Sequence, residues 1–354
     1  MPTTSSVAPM ASPALSVVTD LDPREWDRYV ETAPDATGYH LTGWRPVFEQ
    51  VFRHRMVNLA AVRDGRVAGI LPLVLFRSVV FGRFAVSLPF VNYGGVVADD
   101  DAVAQALLDR AVDVARTEGA KHLELRHVRQ RFSQLPDKQH KVSMTLALPA
   151  TAELLWDALD RKARNQVRKA EKSGLSARSG GIELLDGFYT VFAENMRDLG
   201  TPVYPKAFFA AVLQAFPRDT RIFQVLVDDQ VIAASVTCAW RHTVEVPWAS
   251  SLRAHRDKSP NNLLYWAMLR QAAEDGRETF DFGRSTPDEG TFHFKRQWGA
   301  VPGPMHWEYW LAGGGTLPDQ SPANPKFRAA IAAWQRLPLA VANRVGPAIV
   351  RNIP

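Results

Sequence analysis

One short stretch of this 354-residue chain carries most of its chemistry-bearing types: Phe280-Asp281-Phe282-Gly283-Arg284-Ser285 sets a carboxylate between two aromatic rings and follows it with a cation and a hydroxyl. On a strand, neighbouring side chains face opposite sides, so Asp281 faces away from both phenylalanines. There it could accept a proton from an amine or hold a substrate ammonium; a solvent-facing or arginine-paired carboxylate is the structural alternative. Arg284 and Ser285 stand at the strand's end, where open α/β sheets place ligand contacts. Arg284 has the forked geometry to grip a phosphate or carboxylate, with a salt bridge as the competing role. Tyr204 and Trp248 are aromatic candidates for lining the same cleft, core packing being the commoner role of each. Lys295, at the end of Thr291-Phe292-His293-Phe294-Lys295, reads on pattern alone as a surface lysine on a strand.

A second chemical feature is charge. The formal net charge is +5, yet Arg161 to Arg178 alone holds seven basic residues against one acid, Glu171. Arg161, Arg164, Arg168 and Lys172 recur every three or four residues and so form a stripe on one helix face. An anionic partner fits that stripe, whether tRNA, a nucleotide-linked sugar or a phospholipid surface; a solvated helix face fits it equally. Farther on, Ser259 as N-cap and Pro260 at the first helical position leave free N–H groups near Asn261 that could hold a carboxylate or phosphate, or merely cap the helix. The segment Arg256 to Asn262 lacks glycine, which obstructs the close backbone approach of a pyrophosphate. In the first half only Gly94-Gly95 stands in a comparable place. Histidines are scattered singly, so neither a metal site nor a catalytic dyad is expected.

These residues must be positioned by a scaffold, and the chain shows one that is built twice. In the first half Val57 to Arg63, the turn Asp64-Gly65 and Val67 to Phe76 read as a hairpin; in the second, Ile222 to Val227, Asp228-Asp229-Gln230 and Val231 to Trp240 do the same. Each leads to an apolar strand with a Pro-aromatic pair, Pro89-Phe90 or Pro247-Trp248. A helix follows, Ala102 to Glu118 or Asn261 to Asp275, closed by Gly119 or Gly276. Then come strands containing Leu123-Glu124-Leu125-Arg126 and Phe280-Asp281-Phe282-Gly283. The interleaving predicts α/β layers with mixed sheets in each half and a boundary near residue 150. Helices are expected over Asp22 to Glu31, Trp44 to Phe52, Ala152 to Lys172 as one long element, Gly187 to Leu199 and Pro205 to Phe216.

Composition sets the outer limits. With 46% hydrophobic residues the chain can bury a large core. A single cysteine, Cys238, excludes an internal disulfide framework and fits a reducing compartment, so a soluble intracellular protein is expected. Residues 1 to 18, rich in Ser, Thr, Pro and Ala and without an opening Lys or Arg, read as a loose tail rather than a secretory signal. No apolar run approaches the roughly 20 residues of a membrane-spanning helix. From 316 to 354 a second tail, apolar and Ala-rich with Arg328, Arg336, Arg344 and Arg351, fits either an interfacial helix at the inner membrane or packing on the protein's own body.

Taken together, the order of parts, the helix Arg161 to Gly174, the Phe280 to Ser285 strand end and the Phe294-Lys295 pair resemble FemAB-type transferases. Tyr39-His40-Leu41, Gly43-Trp44, Tyr93-Gly94-Gly95, Ser259-Pro260-Asn261, Leu337-Pro338-Leu339 and Gly346-Pro347 are similar, more closely, to FemAB-like proteins of exosortase (PEP-CTERM) and exopolysaccharide systems. The resemblance covers about residues 20 to 350. It implies two tandem GNAT-like (acetyltransferase-like) domains, 19–150 and 151–315, and transfer of an acyl or aminoacyl group to an amine on a cell-wall or exopolysaccharide precursor. The donor implied is aminoacyl-tRNA or acyl-CoA, with no bound cofactor; the helical arm that binds tRNA in FemAB proteins has no counterpart here. By the resemblance Lys295 is the donor to the tetrahedral oxyanion, with Phe294 excluding water and Asp281 beside it. The substrate-binding set is then Phe294, Arg284, Ser285, Tyr204, Trp248, Arg164, Arg168 and Asn261. A CoA-dependent N-acyltransferase and a non-catalytic binding protein of envelope assembly are the alternatives.

Overall fold

A computed structural model describes residues 15–79, 81–318 and 325–353. In chain order the elements are β1 (Leu15–Val18), α1 (Pro23–Thr32), α2 (Trp44–Pro46), β2 (Arg55–Arg63), β3 (Arg66–Ser78), β4 (Gly82–Val86), β5 (Val97–Ala98), α3 (Asp101–Thr117), β6 (His122–His127), β7 (Asp137–Lys138) and β8 (Val142–Ala147). The second half continues with α4 (Ala152–Ala158), α5 (Arg161–Lys172), β9 (Ser176–Gly180), α6 (Leu185–Leu199), α7 (Lys206–Ala215), β10 (Thr220–Val227), β11 (Gln230–Trp240), β12 (Thr243–Ser251), α8 (Pro260–Glu274), β13 (Thr279–Ser285), α9 (Gly290–Arg296), β14 (Val301–Pro304), β15 (His306–Leu311), α10 (Pro325–Trp334) and α11 (Leu339–Val350).

Two mixed sheets result. One runs β1-β2-β3-β4-β6-β15-β7 with β5 beside β3; the other runs β14-β8-β13-β12-β11-β10-β9. The repeated hairpins are β2/β3 and β10/β11, and in each sheet one neighbouring pair is parallel, β4 with β6 and β12 with β13. Parallel neighbours need a crossover, and α3 and α8 supply it. Both helices end before a glycine in the left-handed region, Gly119 at φ +67° and Gly276 at φ +69°, a conformation that costs any residue with a Cβ. The sheets also share strands across position 150: β8 pairs with β13 and β14 in the second sheet, and β15 returns to pair with β6 in the first.

Several expectations change. Residues 1–14 of the expected loose tail lie outside the described residues, but Leu15–Val18 is not loose: its apolar, β-branched residues pair along β2 as an edge strand. The helix expected over Ala152 to Lys172 is broken, because Leu159 is extended and Asp160 caps a new start by accepting from the Lys162 N–H at 2.6 Å. Pro89-Phe90 falls beyond the end of β4 in a bend, whereas Pro247-Trp248 lies within β12. Trp44 to Phe52 is a short α-turn running into a wide π-turn at Val47–Val51. Thr291 to Lys295 is helix α9, not strand. In the C-terminal segment α11 packs on α6, with Ala342 and Val350 buried and Gly346 against Val203. Among the described residues no helix is long and apolar enough to cross a membrane.

Candidate active site between the two sheets

Strand β13 splits its side chains between two layers. Phe282 stacks on Tyr265 of α8 with ring centres 5.6 Å apart, and Phe280 meets Phe282 at 4.8 Å, so both rings face the helix layer. Asp281 therefore faces the other way, toward the first half, as alternation requires. It is buried there, accepting from Tyr93 Oη at 2.6 Å and from the Gly283 N–H at 2.8 Å.

Opposite Asp281 on the parallel neighbour β12 stands Glu245, also buried. The pairing of β12 with β13 runs only from Thr243/Thr279 to Glu245/Asp281; beyond it the strands part. Asn92 from the first half enters this gap, its amide donating to Glu245 Oε1 and lying 3.2 Å from where a Cβ on Gly283 would be. Burial pushes the Glu245 carboxyl up to about 8, and the neighbouring Asp281 charge adds to the push. Burial also raises Asp281, against the opposing hydrogen bonds from Tyr93 and Gly283. Like charges this close do not both ionise readily, so the pair tends to hold one proton between its two carboxyls near neutrality.

Gly283 shapes the rest. It sits at φ +72° and forms a bulge: Asp281 is opposite Thr145 on β8 and Arg284 is opposite Ser143, so two residues of β13, Phe282 and Gly283, face one of β8. The extra residue turns Arg284 onto the Asp281 face. The first half shows the same strand without it. There Glu124 is followed two places on by Arg126, and the two form an ion pair at 2.7 Å with Tyr309 Oη on the second carboxylate oxygen at 2.8 Å. In Leu123-Glu124-Leu125-Arg126 the acid is neutralised; in Phe280-Asp281-Phe282-Gly283-Arg284 the inserted glycine moves the cation off its acid.

Lys295 of α9 is buried and donates to the Gly283 and Arg284 carbonyls, each at 3.0 Å, leaving one N–H for another partner. Burial lowers its ammonium to about 8, opposed by the Asp281 and Glu245 charges. Lys295 thus lies behind the bulge rather than on a surface strand.

A cavity of about 400 Å³ opens at the carboxylate pair, in the size range of small-molecule sites. Asp281, Glu245, Ser143, Thr145 and Thr243 form its polar end; Tyr39, Trp44, Phe216, Trp240 and Cys238 form apolar walls. The turn Gly38–His40 delivers Tyr39. His40, held neutral by burial at about 4, accepts from the Thr37 N–H through Nδ1 and so donates from Nε2 to the Gly95 carbonyl at 3.0 Å. The Tyr39 hydroxyl is buried beside Glu245, near enough to interact with its carboxyl but without a well-formed hydrogen bond. Cys238 is no thiolate nucleophile, since burial and the Glu245 charge drive its pKa up.

The remaining expected residues divide. Arg284 stands near the end of β13, outside the lining of this cavity. Tyr204 lies in an aromatic cluster with Phe52, Phe90 and Phe208, close enough to Arg284 for the two to interact electrostatically. Trp248 is a core residue, its ring edge-on to Phe208 and Phe209 at 5.3 and 5.4 Å. Phe294 faces Tyr265 and Trp298 in the helix layer, not the cleft. Ser285 is buried with an unpartnered hydroxyl. Arg164 and Arg168 belong to α5, which packs on α8 and so on the sheet face away from Asp281; Arg168 lies over Trp156 at 5.4 Å. Ser259 does not cap α8 with its side chain, because its hydroxyl donates to Gln166 Oε1 at 2.6 Å; Asn261, in the first turn, is half-buried. The Gly95 and Val96 N–H groups are taken by the Arg126 carbonyl and by His127 Nε2, so two of the amides a phosphate cradle would need here are already occupied. Glu245, Tyr39, Asn92 and Tyr93 were not singled out for chemistry from sequence; the one signal was a lone acid in the apolar run Val244-Glu245-Val246.

Comparison with known proteins agrees with this architecture. Residues 160–296, which include Glu245, Asp281 and Lys295, match the family model described as acetyltransferase (GNAT) domain. No curated protein matches the chain by sequence. Among solved structures, FemX superposes with a TM-score of 0.66 at 16% identity, covering 89% of this chain and 100% of that one. A tandem GNAT protein from the clavulanic acid biosynthesis pathway follows at 0.54 and 14% identity, covering 86% and 100%. L-PGS from Bacillus licheniformis matches at 0.53 and 10% identity over 90% and 98%. The fold is that of tandem GNAT-like acyltransferases.

Proposed function

We propose, taking the tandem acyltransferase fold as premise, that this protein transfers an acyl or aminoacyl group to an amine bound at the Glu245/Asp281 pair. The observation that carries this reading is the pair itself: two buried carboxyls on adjacent strands, on the wall of a cavity, with no ion pair from either to an arginine among the described residues. An acceptor amine arrives mostly as ammonium and attacks only after losing a proton. A carboxyl pair that retains negative charge binds the ammonium, and a member with a pKa near 8 is matched to taking its proton near neutral pH. As the amine nitrogen bonds to the acyl carbon, the carbonyl oxygen gains charge and the donor's leaving group departs with a proton. The Tyr39 hydroxyl, and the remaining N–H of Lys295 for a substrate reaching the Gly283 turn, are the donors able to meet that oxyanion. Tyr93 and Asn92 hold the two carboxyls in place.

The acceptor we propose is an amino-bearing cell-wall or exopolysaccharide precursor. The aromatic walls favour an amine carried on an apolar or ring-bearing body. For the donor, aminoacyl-tRNA is preferred to acyl-CoA: the Gly95 and Val96 amides are already taken and Arg256 to Asn262 has no glycine, both of which disfavour a pyrophosphate cradle. Incubating the protein with acyl-CoAs, pooled aminoacyl-tRNA and amine acceptors, and following thiol release and acceptor mass, separates the two donors. No mass gain on any acceptor, with Glu245→Gln indistinguishable from wild type, would leave a binding role in its place.

A further inference from the structure

We infer that Arg284 and Trp307 form an oxyanion-binding clamp across the seam between the sheets, taking a phosphate or carboxylate group of the ligand. Arg284 comes from β13 of the second sheet and Trp307 from β15 of the first. Three groups crowd the Trp307 ring: the Arg126 guanidinium at 4.4 Å, the Arg284 guanidinium at 5.5 Å and the His140 ring, edge-on, at 4.9 Å.

Their hydrogen bonding differs sharply. Arg126 is satisfied by Glu124 and by the Val91 carbonyl at 3.0 Å. Arg284, its counterpart in the repeat, has no hydrogen bond or ion pair to any described residue through its side chain, and its Nη1 is buried. Trp307 Nε1 is likewise buried without a partner. Arg284 as a whole is half-buried, but its Nη1 is cut off from water, and a buried unpaired donor is costly. Arg126, Lys141 and Lys295 add positive potential rather than relief: each is close enough to Arg284 for like-charge repulsion, and the acids felt there, Glu124 and Glu245, are already engaged by Arg126 and Asn92. A doubly or singly charged oxyanion supplies what is missing, since guanidinium and indole N–H groups are donors suited to it.

Assigning that anion to the acyl acceptor rests on the proposed transfer reaction; the existence of the clamp does not. The bulge puts Arg284 on the face of Asp281, so such an acceptor carries its amine and an anionic group on one molecule.

The test uses the whole protein and two probes, inorganic phosphate and acetate, against chloride at matched ionic strength. At least one of the two raises the wild-type Tm by about 2–4 °C at concentrations well above its Kd. The shift disappears in Arg284→Gln and shrinks in Arg284→Lys, which keeps the charge but loses the fork. Phosphate alone marks a phosphorylated ligand, and acetate alone a carboxylate. Without added anion Arg284→Gln melts at or above wild type, because it removes an unpaired cation; an arginine with a structural role would lower Tm on removal. The inference fails if neither anion shifts wild type, or if the shift survives in Arg284→Gln; should that variant not fold, Arg284→Lys decides by the same comparison. Turnover is a separate readout, so loss of the transfer reading leaves this binding result standing, and the reverse also holds.

Discussion

Glu245 and Asp281 are register partners on the parallel strands β12 and β13, at the point where those strands stop pairing. In the first half the parallel pair β4/β6 likewise ends at an acid, Glu124, opposite Val86. That acid faces an apolar residue and holds an arginine; its counterpart faces a second acid and holds none. One strand pattern thus yields an arginine-paired carboxylate in one half and a pair of buried acids without such an ion pair in the other.

Replacing Glu245 by Gln keeps an acceptor for Asn92 but removes the titrating group. Turnover is expected to fall by about 10²–10⁴-fold if Glu245 carries the proton transfer. Steady-state rates of the purified variant, with circular dichroism to verify folding, check this.

Stability against pH follows from two opposite shifts. Glu245 keeps its proton up to about 8 in the folded chain, while the unfolded carboxyl releases it near 4.5, so the native state binds more protons between those values and stability falls as pH rises through them. Lys295 releases its proton at about 8 when folded and near 10.5 when unfolded, so stability rises again across that window. Melting curves from pH 5 to 10 should show the Glu245→Gln variant losing the descending part. Parallel descents in variant and wild type would remove Glu245 as its cause.

Lys295→Ala withdraws the donor to two carbonyls at the bulge and is expected to destabilise by about 1–3 kcal/mol, since buried acceptors lose their partner. Lys295→Met, which refills the space, should recover part of the stability and none of the activity. Chemical denaturation beside turnover measurements distinguishes packing from charge.

Tyr39→Phe deletes a buried hydroxyl that lies against Glu245 with no well-formed hydrogen bond in the free protein. Stability should be unchanged or slightly higher, while the rate drops by about 10²–10³-fold if that hydroxyl meets the oxyanion. A variant with wild-type rate would rule the hydroxyl out of the reaction.

Gly283→Ala places a Cβ at φ +72°, within 3.2 Å of the Asn92 amide and 3.3 Å of the Val246 carbonyl. The left-handed backbone costs roughly 1–2 kcal/mol by itself. The displaced Asn92 should also release Glu245, so the pH profile of activity moves along with Tm; a Tm change alone would confine the glycine to a structural role.

The scaffold was readable because local signals agreed at each level. Asp64-Gly65 and Asp228-Asp229 marked hairpins, Gly119 and Gly276 marked helix ends, and the alternation around Asp281 gave its facing correctly. The site was less readable because it is made by contacts distant in sequence. Tyr93 reaches Asp281 and Asn92 reaches Glu245 only once the halves are packed, and locally only the flanking Val244 and Val246 set Glu245 apart from a surface acid on an edge strand. Lys295 was found through its neighbour Phe294, yet its strand pattern misled: Thr291 to Lys295 alternates apolar and polar residues but coils into α9, which lets the lysine reach back to the bulge. The basic stripe on α5 was legible as a helix face and silent about which side of the sheet that helix covers.

The exchange of β8 and β15 between the sheets makes each half depend on the other for a strand. A polypeptide divided near residue 150 would leave the second sheet without an inner strand and the first without the strand that carries Trp307. Neither piece could close alone, so both should stay open and sticky until mixed. Restored activity from two co-expressed fragments would then report strand donation rather than the docking of finished lobes.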